Sequence, residues 1–161
     1  MNNKLRSLRL LRPVLIFPII FNLAFIFINS ALPTEASVAE SEAVKDAVLE
    51  IVPESTGVGS FVSKNVRGMA HFAEYASLGF LVSLYVLIFL DKYTIAFALS
   101  TASGLIIGLF DETVQIFSGR GANIADVWLD FSGYLTATVL TAAVYFLCMF
   151  ISKRRGDRYN G

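Results

Sequence analysis

Ten residues of this 161-residue chain have types and spacings that can do chemistry. They are Arg67, His71, Glu74 and Tyr75 in one stretch, Asp111, Glu112 and Gln115 in a second, and Arg120, Asp126 and Asp130 in a third. An imidazole oriented by carboxylates can move protons, and guanidinium groups can hold phosphate or carboxylate. His71 is the single histidine. His71, Glu74, Tyr75 and Leu78 share one helical face with Arg67 a turn above, because positions three and four apart are neighbours. Asp111 and Glu112 both precede Gln115 by about one turn. His71, Glu74, Asp111 and Glu112 could offer nitrogen and oxygen ligands to an ion. With one histidine and no cysteine among them, however, the expectation is no bound metal and no cofactor. The chain has no nucleophile elbow, phosphate-cradling glycine loop or HExxH zinc-protease motif.

The elements that must position these groups are membrane helices. Hydrophobic residues make up 55% of the chain, charged residues 16%, and the mean hydropathy is +0.64; a soluble domain carries about 25% charged residues. A bilayer span needs about 20 mostly apolar residues, and four stretches qualify: 14–32, 69–90, 93–117 and 127–151. The expected fold is all-α, a single 1–161 membrane domain built as an integral four-helix bundle with both termini inside and a short amphipathic helix in the first outer loop. The orientation follows from basic residues. Lys4, Arg6, Arg9, Arg12, Lys92, Lys153, Arg154, Arg155 and Arg158 fall on one side, against Lys45, Lys64, Arg67 and Arg120 on the other. Segments 33–68 and 118–126 then face outward. A cleaved signal peptide over Met1–Ala31 is disfavoured, because its apolar stretch is too long and its small-residue pattern poor. Zero formal net charge gives no basis for nucleic-acid binding, and the lone Cys148 excludes an intramolecular disulfide.

In the outer loop, Ser37-Val38-Ala39-Glu40 reads as a capping box. Val44, Ala47, Val48 and Ile51 follow at helical spacing, with Glu40, Glu42, Asp46 and Glu50 opposite, and the helix ends before Pro53. That helix reads as a solvated face resting on the membrane, or alternatively as a lid. Gly57 and Gly59 read as a flexible stretch, and Phe61-Val62 as an interface contact. Within the first span, Pro18 can kink the helix and Asn22 can bond a neighbouring helix, packing being the preferred role of both.

Depth joins the clusters. At 1.5 Å per residue, Glu74 lies about 7–8 Å below Met69, Asp111 about 9 Å below Phe117, and Asp130 about 6 Å below Asp126. Three helices thus present ionisable groups in one shallow layer, with Arg120 in its rim loop. Each group also has a structural role open to it. Asp126 can cap the fourth helix, Asp130 can bond Ser132 or a neighbouring helix, His71 can be a packing histidine, and Arg120 can neutralise Asp111 or Glu112.

With these residues laid out, the chain resembles the VanZ-like family of bacterial membrane proteins, named for a low-level teicoplanin-resistance determinant. The resemblance lies in Val66–Leu81 (VRGMAHFAEYASLGFL) and Asp111–Gly133 (DETVQIFSGRGANIADVWLDFSG). It departs from the family pattern at Gly68, where a lysine is common, and at Asp130, where asparagine is common. The resemblance implies a multi-pass protein of the bacterial cytoplasmic membrane, tied to the cell envelope and in some members to reduced glycopeptide susceptibility. Three functions stay open. The first is a non-catalytic protein whose outward pocket of Arg67, His71, Glu74, Tyr75, Asp111, Glu112, Gln115, Arg120, Asp126 and Asp130 binds an envelope lipid headgroup, peptidoglycan precursor or glycopeptide. The second is a membrane enzyme on an envelope lipid or glycan, with His71 and a carboxylate as acid and base. The third is a structural partner subunit. The expected surroundings are the lipid bilayer, without nucleic acid; the residues leave the oligomeric state undetermined.

Overall fold

The computed structural model describes residues 3–90, 92–121 and 123–159, with side chains over 12–90, 92–121 and 123–154. Asp91, which precedes Lys92, and the side chains of Lys4, Arg6, Arg9, Arg155 and Arg158 lie outside the described residues. Five helices follow in order: α1 (Asn3–Ala31), α2 (Thr34–Leu49), α3 (Gly57–Phe89), α4 (Tyr93–Phe117) and α5 (Ile124–Tyr159). No strand occurs among the described residues. Helices α1, α3, α4 and α5 are each long and apolar enough to cross a membrane. Such a sequence must be helical in lipid, where each backbone N–H and C=O needs a partner within its own segment.

The bundle is inside-out relative to a soluble protein. Phe17, Phe21, Ile28, Phe110, Trp128, Leu140 and Phe150 stand exposed on its surface, whereas Ser83, Ser100, Asp111, Glu112, Gln115, Asp130 and Thr138 are buried. An apolar exterior of that extent fits hydrocarbon and not water. The apolar core is small, with Ile26, Tyr75, Leu78 and Tyr134 at its centre.

Small residues let the helices approach. A Cβ at Gly79 of α3 would stand 2.9 Å from the Tyr134 Cα and nearer still to its carbonyl oxygen, and one at Gly133 of α5 would stand 3.1 Å from the Phe72 Cα. The backbones of α3 and α5 are therefore in direct contact at two levels, and this pair is the spine of the molecule. Lower down, Ser83 of α3 bonds Ser100 of α4 (2.7 Å) and Thr138 of α5 (2.9 Å). Buried hydroxyls between membrane helices contribute about 0.6–1.7 kcal/mol, so Ser83→Ala is expected to lower unfolding stability in detergent by about that amount. A thermal melt checks it.

α1 runs unbroken as a helix past Pro13 and Pro18, and Asn22 bonds Ser77 of α3. The stretch between α1 and α3 differs from its sequence reading. Pro33, not Ser37, stands at the N-cap of α2. The Ser37 N–H already bonds the Pro33 carbonyl at 3.1 Å, so Ser37 lies inside the first turn and forms no capping box. None of α2 is buried, and Ile51 lies beyond its end. Gly57 and Gly59 are not a flexible stretch but open α3: the Thr56 hydroxyl accepts from the Gly59 N–H at 2.9 Å. That cap starts α3 three turns earlier than the apolar stretch does, because amphipathic turns carry no hydropathy signal. Of the Phe61-Val62 pair, Phe61 is exposed and Val62 buried.

Candidate functional site

The ionisable groups come from the last turns of α4, the first half of α3, the start of α5 and Arg120 of the connection between α4 and α5, with Asn29 and Ser30 of α1 beside them. Asp111 and Gln115 lie on the inner face of α4, which continues a stripe of small residues Ala96, Ser100, Gly104 and Gly108. The same periodicity that brings α4 close to its neighbours therefore aims Asp111 inward.

Asp111 and Glu112 each accept two hydrogen bonds. Asp111 accepts from the Ser30 hydroxyl of α1 and from Gln115 Nε2 at 3.0 Å. The same Gln115 amide reaches Glu112 Oε1 at 2.9 Å. Glu112 Oε2 accepts from the Asn123 N–H at 2.8 Å, fastening the α4–α5 connection onto α4. Glu74 accepts from the Asn29 amide at 3.4 Å. Asp130 is fully buried; its Oδ1 lies 3.3 Å from His71 Nδ1, and the His71 side chain keeps 19% of its exposure. The two atoms approach without the alignment of a hydrogen bond, so neither Asp130 oxygen nor His71 Nδ1 has a partner among the described residues.

Arg120 sits between Gly119 and Gly121, both with φ of +76° in the left-handed region that favours glycine. That turn folds the 118–121 stretch back over α1. Arg120 Nη1 donates to the Asn29 carbonyl at 3.1 Å, and Ser118 Oγ donates to the Ser30 carbonyl at 3.0 Å. Both carbonyls lie at the C-terminus of α1, where a cation is favoured, and that of Asn29 also accepts from the Leu32 N–H at 3.2 Å. Arg120 thus caps α1 and does not pair with Asp111 or Glu112. Its Nε and Nη2 are buried and have no partner among the described residues. Burial first, and then the charge of Arg67, pull this guanidinium below its ordinary value.

Two cavities open above these groups. One of about 170 Å³ is lined by Asn29, Glu40, Arg67, His71, Glu74 and Arg120, with Val44 and Ser41 of α2 along one side. The other, about 150 Å³, is lined by Arg67, His71, Asp126 and Asp130 with Gly68 and Leu129. Of the ten expected residues, Arg67, His71, Glu74, Arg120, Asp126 and Asp130 face a cavity. Asp111, Glu112 and Gln115 are buried, and Tyr75 belongs to the core with Leu78.

Several structural expectations change. The residue that caps α5 is Asn123, whose Oδ1 accepts from the Ala125 N–H at 3.1 Å, and not Asp126. Ser132 donates to the Leu129 carbonyl and leaves Asp130 alone. The acids that gather with His71 are Asp111 and Asp130; Glu74 and Glu112 of the sequence-based ligand set turn to Asn29 and to Asn123. Asn29, Ser30, Ser118 and Asn123 were not picked out by sequence, since short polar residues at helix ends are common caps. A signal was present only in the Asn29-Ser30 pair, which closes an otherwise oily span.

A family model described as VanZ/LLP1 matches residues 15–150. The chain belongs to the VanZ/LLP1 family. The matched stretch of this VanZ/LLP1 chain runs from α1 into α5 and contains all ten candidate residues, both cavities and the α3–α5 contact. A search of curated proteins and a search of solved structures return no significant match.

Proposed function

We propose that this VanZ/LLP1 protein binds the anionic group of an envelope ligand, such as a phosphate headgroup of a lipid or lipid-linked precursor, in the cavity beneath α2. The observation that carries the reading is the pair of buried, unpartnered nitrogens on Arg120, beside Arg67 and His71 at one cavity. A guanidinium edge with two free N–H groups matches two oxygens of a phosphate or carboxylate. Asn29, Glu40 and Glu74 at the same cavity supply polar partners for hydroxyl or amine groups beside that anion. Nine of the thirteen basic residues fall at the termini and at Lys92, which supports both termini inside and the cavity facing outward, and the family supports a bacterial cytoplasmic membrane. Glycopeptide susceptibility is then one phenotype through which such binding can surface.

Hydrogen bonds to charged groups contribute about 1.5–3 kcal/mol, so Arg120→Ala is expected to weaken binding of a short-chain phosphatidylglycerol about 10- to 100-fold. Arg120→Lys, which keeps the charge and loses the fork, is expected to fall between the two. Titration calorimetry in a neutral detergent measures both. Unchanged affinity in folded Arg120→Ala protein would defeat the reading.

A second reading, an enzyme on an envelope lipid or glycan, is favoured by the 3.3 Å approach of His71 Nδ1 to Asp130. An oriented imidazole at a cavity can act as acid and base. Loss of turnover in His71→Ala with binding retained distinguishes it from the first.

A further inference from the structure

Beneath the two cavities, His71, Asp111 and Asp130 each place one ligand-type atom within 4.8 Å of the others. Both aspartates are fully buried. Two carboxylates held this close in an apolar bundle repel one another, and each is costly to bury without a counter-charge. Arg120 is committed to the end of α1, and no other Lys or Arg pairs with either aspartate among the described residues. Asp111 is steadied by Ser30 and Gln115. Asp130 has only the His71 imidazole beside it, with its Oδ1 3.3 Å from His71 Nδ1; both of its oxygens, and that Nδ1, lack an aligned hydrogen-bond partner among the described residues. Buried polar atoms left in that state mark a place where something else supplies the partner.

We propose that His71, Asp111 and Asp130 bind one divalent first-row metal ion, of the Zn²⁺ or Mn²⁺ class. One imidazole nitrogen with two carboxylates suits such an ion, whereas Ca²⁺ takes six to eight oxygens. Donor atoms around an ion at about 2.1 Å stand about 3–4 Å apart, so closing the site takes side-chain rotations and no movement of helices. A dication would cancel both carboxylate charges and satisfy the unpartnered oxygens together. Ser30 and Gln115 would orient the Asp111 ligand, the supporting role that outer groups play around bound metals. The cavity holding Asp126 and Asp130, with its wall of Arg67 and His71, is the entry path from the surface. The histidine count alone argues against a metal; it is Asp130, brought in by the α3–α5 contact, that completes a third ligand.

The test is metal binding to the purified, tag-free full chain, stripped with chelator and then titrated separately with Zn²⁺, Mn²⁺, Mg²⁺ and Ca²⁺, with bound ion counted by elemental analysis. About one equivalent of Zn²⁺ or Mn²⁺ per chain is expected, with affinity lower by at least about 10-fold in His71→Ala and in Asp130→Asn. Asp111→Asn serves where either variant fails to fold. Asp126→Asn, at the mouth of the same cavity, is expected to lose less affinity than Asp130→Asn; an equal loss there would put the ion at the rim and overturn the assignment. Substoichiometric ion in the loaded wild type, or undiminished binding in the ligand variants, would overturn it as well. The assignment is independent of the headgroup reading, because Arg120→Ala keeps the ion while losing the anion.

Discussion

Gly133→Val is expected to be among the most damaging single substitutions in this chain, lowering stability by about 3 kcal/mol or more. At Gly133 the α5 backbone rests on the Phe72 carbonyl of α3. The atom met is backbone, so no rotamer change relieves the clash, and the helices must separate along their whole contact. His71 is the residue before Phe72 and Asp130 lies one turn before Gly133, so the same separation pulls His71 from Asp130. Both thermal stability in detergent and the proposed ion binding are therefore expected to fall together. Gly133→Ala is the milder version and Gly57→Ala the control, since a Cβ at Gly57 meets nothing within 4 Å. A valine variant that melts with the wild type would show that α3 and α5 are not in backbone contact.

Glu112→Ala is expected to cost about 3 kcal/mol, as the loss of a buried acceptor that serves two donors. Its two oxygens take the Asn123 N–H at 2.8 Å and Gln115 Nε2 at 2.9 Å; the Asn123 N–H would be stranded, and Gln115 Nε2 would keep only Asp111. The effect reaches further than stability. Asn123 begins α5, and the connection before it carries Ser118 and Arg120 onto the end of α1. Freeing that connection is expected to weaken anionic-ligand binding about 10-fold, although Glu112 faces neither cavity. Glu112→Gln keeps one acceptor oxygen and is expected to recover about half of the loss on the same scale. Hydrogen exchange over 118–123 separates the two effects: protection there should drop in Glu112→Ala and survive in Arg120→Ala. Equal protection in wild type and Glu112→Ala would show that the carboxylate does not hold the loop.

These two residues also mark the boundary between what was legible in the chain and what was not. Four long apolar helices, their order, the family and the shared depth of His71, Glu74, Asp111 and Asp130 could all be read from residue order. Hydropathy and rise per residue are local properties, and an unbroken apolar run of about 20 residues satisfies its own backbone in lipid as a helix. The extra turns of α3 and the true start of α2 escaped that reading, because Thr56 and Pro33 act through single hydrogen bonds and dihedral angles at helix ends. Partner choice escaped it too. Successive residues point about 100° apart around a helix, so neighbours as close as Asp111 and Glu112 serve different partners according to how α4 is rotated. The glycine contact between α3 and α5, together with that rotation, decided that Asp130 would meet His71 and that Glu112 would hold the loop, and the turn at Gly119 and Gly121 decided that Arg120 would cap α1 with two nitrogens left over.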